Sequence, residues 1–403
     1  MSESANGLRV INDSLVLTSS NIANTSTIGY KSSKPVFFDI FSTSVYSKNP
    51  VANGVSILRN IQDFSNGTLI STNRDLDIGI ANEGFFRVLD SKGDIHYTRN
   101  GQFILDNNKN IVNMQGMYLT GYNQKHVNNV FDTYNIEKIN LKNAYKLECK
   151  PTTEIKLQAY LNSQMNKISN TNNSNDSSAD LEAYTNSINI YKKNGEKEKI
   201  DISFSKLENN KWQVHVKSNN PDNEAGIDQN FELKFSPNGE LTSDSIMNIK
   251  SNNSQYSNIK LDLTGTVETK ETNNNFEQPS QNGYSRSKLK YFTISPNGEI
   301  IGSYENQQHK VIGQILLSKF ISPENLRPET GNLWSATAQT GTEIIGIAGQ
   351  SGFGTLVSRS LEMSNVDLNK ELINMIVQQR NYQSNVQSFK AEDKMINTLI
   401  NLR

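Results

Sequence analysis

The chain has 403 residues with 40 basic against 41 acidic side chains, so no bulk field draws it to nucleic acid or anionic lipid. At 35% hydrophobic and 20% charged it is polar for a globular protein, too apolar for disorder throughout, and long enough for two to four domains. A single cysteine, Cys149, excludes an intrachain disulfide and a multi-cysteine metal site, and reads as a small buried hydrophobe.

The first residues, MSESANGLRVINDSLVLTSSNIAN, lack the basic start and apolar stretch of a secretory signal. From there on, no apolar run approaches the roughly 18 residues needed to cross a membrane. Leu8, Ile11, Leu15, Thr18 and Ile22 recur at steps of three and four, and the pattern stops at Asn24, ahead of Gly29 and Pro35. The spacing predicts a helix over the first thirty residues. Thr27 to Ser71 is turn-rich and reads as a linker, taken as 31–71.

Between Leu76 and Tyr122 the period changes to two, with short strands such as EGFFRVLD and IHYTRNGQFILD broken by Gly, Asn and Asp. Leu289 to Phe320 has the same texture. These stretches predict an inner β domain over 72–142 plus 285–360. The more polar segment 143–284, with Trp212 as its core anchor, reads as an outer β domain inserted into the inner one. Within it, Asn162 to Ser178 carries six asparagines in seventeen residues and reads as a surface excursion. Pro-Asn-Gly recurs in FSPNGEL (Phe235–Leu241) and ISPNGEI (Ile294–Ile300), each placed in a turn between strands.

The last forty residues return to helical spacing. Leu368, Leu372, Met375, Gln379, Tyr382, Val386, Phe389, Asp393, Ile396 and Ile400 follow a heptad stripe, and no Pro or Gly interrupts the chain from Leu361 onward. Two stripe-bearing helices at opposite ends predict that the ends, 1–30 and 361–403, pair as a coiled coil. An amphipathic helix packed on its own domain would show similar spacing. Seam burial alone does not offset the ordering of two long helices in water, so the ends are expected to be loose in the monomer and ordered on assembly. The predicted fold class is thus mainly β and multidomain, with paired terminal α-helices and nested, discontinuous domains.

A search for chemistry returns little. His96, His126, His215 and His309 lack metal-ligand spacing, and no hydrolase or phosphate-loop motif occurs. GIAGQSGFGT (Gly346–Thr355) has its glycines in the wrong order for a dinucleotide site and reads as a connector. Asp75 and Asp77 read as solvated turn residues rather than paired catalytic carboxylates. The expectation is no enzyme, no cofactor and no metal.

Three blocks carry a resemblance. SNIANTSTIGYK (Ser20–Lys31), with Asn21, Ile22, Ala23, Asn24, Thr27, Gly29, Tyr30 and Lys31 in place, resembles the N-terminal signature of the flagellar axial proteins. LEMSNVDLNKELINMIVQQRNYQSN (Leu361–Asn385), with Ser364, Asn365, Val366, Asp367 and Leu368 as its core and Glu371, Gln379, Arg380 and Tyr382 following, resembles the C-terminal one. DIGIANEGFFRV and YTRNGQFILD look like the β domain shared by rod and hook subunits. Ser19 and Ser20 depart from that pattern without disturbing the heptad.

The large insert points to a hook-type subunit rather than a distal rod or hook-associated one. A secreted β-rich adhesin is the alternative from another class. The resemblance implies a self-assembling subunit exported by the flagellar type III apparatus without a cleaved signal, and placed outside the cell in the flagellum. It would polymerise into a curved tube that joins motor and rod to filament as a flexible joint. Its partners would be copies of itself and the rod, hook-cap and hook–filament junction proteins, with no nucleic acid and no membrane insertion. Leu8, Ile11, Leu15, Ile22, Leu368, Leu372, Met375, Tyr382, Val386, Phe389 and Ile396 are the candidate assembly residues. Asn21, Asn24, Gly29, Asn365 and Asp367 are candidate hinge or cap residues, and Gly29 and Gly84 read as conformational glycines.

Overall fold

The computed structural model describes residues 2–42, 51–123, 135–165, 184–218, 227–250, 255–270 and 275–401. The chain is mostly β, in several sheets, with a helix at each end, and it divides into two compact units. The first comprises Met1–Ala144, Lys290–Ser303 and His309–Arg403; the second comprises Tyr145–Leu289 and Tyr304–Gln308.

In the first unit, helix α1 (Ser2–Ala23) ends where the sequence pattern stops. The chain then enters an antiparallel hairpin, β1 (Ser33–Ser42) against β2 (Val51–Gln62), with bulges at Val36/Phe37 and Asp39/Phe41. This corrects the reading of 31–71 as a linker. The Ser- and Gly-rich composition that looks turn-like there instead accompanies a long ladder, which α1 covers on one side. A two-stranded hairpin is marginal in water without such cover.

The β body of this unit is built around the strand His309–Lys319, whose residues Ile312 to Ser318 are all buried. Burial on both faces explains its continuous rather than alternating apolar run. It pairs antiparallel with Glu299–Tyr304, Tyr118–Asn123, Ile344–Ile347 and the start of Phe85–Leu89. Phe85, Tyr97, Phe320, Leu326 and Trp334 form an aromatic-rich cluster with Phe64 packed against it. Its rings meet edge-on, Tyr97 and Phe320 at 4.8 Å and Phe64 and Trp334 at 5.4 Å between centroids. Gly84, at φ +132°, carries the turn into Phe85, where a Cβ would come within 3.3 Å of Leu317. Gly346–Thr355 is a turn between strands Ile344–Ile347 and Thr355–Ser358, closed by the Gly349 amide on the Gly354 carbonyl at 2.9 Å.

The second unit centres on a four-stranded antiparallel sheet of Tyr184–Tyr191, Lys197–Glu208, Lys211–Ser218 and Asp228–Lys234. Strict alternation places Ile200, Ile202, Phe204, Trp212, Val214 and Val216 inward and leaves Lys199, Asp201, Gln213 and Lys217 on the other face. Trp212 is fully buried in that core. Small sheets from Glu154–Lys156, Ala159–Asn162, Ile246–Ile249, Ile259–Asp262 and Val267–Thr269 supply its remaining walls. Cys149 is half-buried rather than buried, its thiol directed at the Lys193 carbonyl. Most of the asparagine-rich excursion lies outside the described residues.

The two Pro-Asn-Gly turns, one in each unit, have matching bonds. The Gly239 amide donates to the Ser236 carbonyl and the Gly298 amide to the Ser295 carbonyl, each at 2.9 Å. Like sequence gives like turn, though the surrounding sheets differ.

Candidate assembly interface

The terminal helices lie side by side in the first unit and run antiparallel. Gly7 faces Asn385, where an added Cβ would come 3.0 Å from Oδ1, and the Gln378 amide donates to the Ser14 hydroxyl at 2.8 Å. One heptad on α1 answers one heptad on α2 (Leu368–Asn401).

The buried stripe on α1 is Val10, Ser14, Thr18 and Asn21, with Leu8, Ile11, Leu15 and Ile22 half-buried beside it. On α2 the least exposed positions are Glu371, Asn374, Met375, Gln378, Asn385, Val386, Phe389, Glu392 and Ile396. Of the predicted α2 seam, Met375, Val386, Phe389 and Ile396 turn toward cover, whereas Leu368, Leu372, Tyr382 and Ile400 are exposed, as are the polar seam positions Gln379 and Asp393. The covered stripe is therefore rotated by about one residue toward small and polar side chains. Apolar spacing locates a helix face that wants cover; within one chain only part of that face, Met375, Val386, Phe389 and Ile396 on α2, receives it. Leu368, Leu372, Ile373, Ile376 and Val377 stand 43, 43, 62, 51 and 50% exposed on the first three turns of α2.

Polar groups fix where each helix begins and ends. Asp367 caps α2, its carboxylate accepting from the amides of Asn369 (3.0 Å) and Lys370 (3.3 Å). Asn24 closes α1 by donating its side-chain amide to the Ser20 carbonyl at 2.9 Å. Asn21 ties the last turn of α1 to the start of β1, since its amide donates to the Ser33 carbonyl (2.9 Å) and its oxygen accepts from the Ser33 amide (3.0 Å). Asn365 does the same ahead of α2, accepting from the Ser32 amide at 2.8 Å and donating to the Asp63 carbonyl at 2.7 Å. Gly29 holds φ +70°, and a Cβ there would come within 2.6 Å of the Asn100 amide nitrogen, so only glycine fits.

At the centre of this joint is a charge cluster. Lys31 Nζ lies 2.7 Å from Glu362 Oε1 with both side chains fully buried, and Arg99 Nη1 lies 3.2 Å from Oε2. Lys31 also donates to the Ser65 carbonyl at 2.6 Å. Burial, with the Arg99 charge adding to it, holds the Lys31 ammonium below the usual lysine value against the opposing pull of Glu362. Burial likewise lowers the Arg99 guanidinium. Asn21, Gly29 and Asn365 are thus brought together about Lys31 and Glu362, while Asn24 and Asp367 act locally on their own helices. Glu362 and Arg99 escaped the sequence reading. A single acid in LEM and a single base in YTRN carry no periodicity, and only the pairing of distant segments joins them.

The histidines are not brought together. His96 meets Glu329 (2.9 Å), His215 meets Asp228 (2.8 Å), His309 meets Ser303 (2.9 Å), and His126 lies outside the described residues. Asp75 pairs with Arg359 at 2.6 Å, and Asp77 is buried rather than solvated. Among the described residues no group of three or more His, Cys, Asp and Glu could hold a metal ion, and no helix is long and apolar enough to cross a membrane.

Comparison with known proteins decides the family. A flagellar hook protein from Salmonella typhimurium is 38% identical over the whole of this chain and 99% of its own length. The chain belongs to the flagellar hook protein family. A hook protein of Escherichia coli K12 is 37% identical over the same span. Three family models match: the hook protein FlgE/F/G D1 domain over 79–159, the flagellar basal body protein FlaE D2 domain over 160–284, and the basal body rod FlgEFG C-terminal region over 357–402. The crystal structure of Helicobacter pylori flagellar hook protein FlgE2, at 12% identity, shares the fold with a TM-score of 0.57, covering 73% of this chain and all of that one. The relatives it matches over full length are structural proteins of the flagellum, named for the hook.

Proposed function

We propose that the chain polymerises through its terminal helices into a curved helical tube that couples rod to filament as a flexible joint for motility. The carrying observation is the set of five exposed apolar residues on α2, Leu368, Leu372, Ile373, Ile376 and Val377. A helix that meets its own chain through Ser14, Gln378, Gly7 and Asn385, yet leaves the apolar residues of its first three turns open, is suited to be covered by other copies. A contact between unlike faces that does not close generates a helical array.

In that arrangement residues 1–30 and 361–403 form the inner wall as coiled-coil neighbours. Each copy would contribute, besides these helices, the inner β domain (72–142 plus 285–360) and the outer β domain (143–284). Export by the flagellar type III apparatus would deliver the chain to the growing structure. Rod, hook-cap and junction proteins would contact its two ends.

Negative-stain electron microscopy of concentrated full-length protein, beside Ile376→Asp and a form trimmed to 72–357, tests this. Tubes from the full-length wild-type chain alone support the reading. Tubes from the trimmed form, or none from any, sink it.

A further inference from the structure

The two helices leave the β body through segments that share one anchor. Glu362 lies in the strand Ser360–Glu362, paired with Leu69–Ser71. Its Oε1 accepts from Lys31 (2.7 Å) and from the Gly67 amide (2.9 Å), its Oε2 from Arg99 (3.2 Å), and its backbone carbonyl from the Gly29 amide (2.8 Å). Four segments of chain thus converge on one residue: the exit from α1, the stretch after β2, the turn after Ile95–Thr98, and the approach to α2.

We propose that Glu362 is a positioning residue that fixes the direction in which both terminal helices leave the β body. This rests on the assembly reading above. The lengths involved make direction matter. Asp367 caps α2 only five residues beyond Glu362, and α2 runs 34 residues. At the standard rise that is about 50 Å, so a 10° error at the base displaces the far end by about 9 Å, more than a turn of helix. Neighbouring copies would then no longer meet in register.

The chemistry calls for a carboxylate of this length. Two buried cations, Lys31 and Arg99, face it, and a buried cation without a counter-charge reorganises rather than staying in place. An amide keeps the shape but donates where Lys31 or Arg99 must donate. Aspartate withdraws the acceptor by one methylene from three donors at once.

The test uses the full-length chain with Glu362→Gln and, as a milder variant that leaves the Arg99 pair intact, Lys31→Gln. Hydrogen exchange in the monomer should show protection at Gly29, Ser32 and Gly67 falling at least about tenfold, while amides of His309–Lys319 hold theirs. Assembled variants should form tubes of altered diameter or repeat, or irregular sheets. Even loss of protection through the whole first unit in both variants would overturn the positioning role, as would variant tubes identical to wild type. The monomer exchange result stands apart from assembly. Failure of the wild-type chain to form tubes would count against the assembly reading instead.

Discussion

The side-chain amide of Gln378 donates to the hydroxyl of Ser14 at 2.8 Å across 364 positions of chain. Its other end is unserved, for Gln378 Oε1 is buried without a hydrogen-bond partner. Ser14→Ala should therefore cost about 1 kcal/mol of helix-pair stability, because it strands the donor as well. Ser14→Ala with Gln378→Met should recover that loss or exceed it, since an apolar pair leaves nothing unsatisfied. Exchange rates of α1 amides in the monomer, for both single variants and the double, give the coupling directly.

Gly29→Ala meets two obstacles, the left-handed φ of +70° and an approach of 2.6 Å to the Asn100 nitrogen. A loss of about 3 kcal/mol or more is expected, well beyond the usual Gly-to-Ala penalty. The thermal midpoint should fall, and near-ultraviolet circular dichroism from the Trp334 cluster should report the change.

The exposed and covered faces of α2 should respond oppositely. Ile376→Asp should leave monomer stability within about 0.5 kcal/mol of wild type, since that side chain is 51% exposed. Phe389→Ala, on the covered stripe, should lower α1 protection in the monomer itself. Equal effects of the two in chemical denaturation would contradict the rotated stripe.

Acid should act on the outer unit through Glu198. Burial alone would raise this carboxyl, but bonds from Ser218, Tyr256 and Lys192 hold it below the usual glutamate value, with Glu196 the other acid beside Lys192. A lowered carboxylate contributes stability that is complete above the unfolded value of about 4.3 and lost as pH falls through the folded value. Unfolding followed by Trp212 fluorescence should show that loss below about pH 4.3, and Glu198→Gln should flatten it. Burial and the same carboxylate also raise Tyr256, so above about pH 10 the unfolded chain gives up this proton first and stability falls again.

Helix extents were legible because three-four spacing begins and ends with the helices themselves, at Ala23 and at Leu368. Strands such as Phe85–Leu89 and Ile95–Thr98 were legible because period-two stretches there are bounded by Gly, Asn and Asp. The hairpin β1–β2 was not, since Asn53, Gly54 and the serines read as turn residues and its cover comes from α1, far away in pattern. The joint was legible in part. Asn21, Asn365 and Gly29 stand out through a family signature, but Glu362 and Arg99 acquire meaning only when segments more than 260 positions apart meet. The covered stripe on α2 departs from the predicted one in part for a physical reason: periodicity finds apolar side chains, and the contact within one chain also uses the amides and hydroxyls of Gln378, Asn385 and Ser14.

That division has a kinetic consequence. In a single copy the helix pair is held largely through polar contacts, while its uncovered isoleucines and leucines find no complement of full size in a pair of stray copies. Only the end of an existing array presents several neighbours at once. Growth should then show a lag that seeds abolish and a threshold concentration below which nothing elongates, so the structure lengthens where it has already begun and not in the bulk.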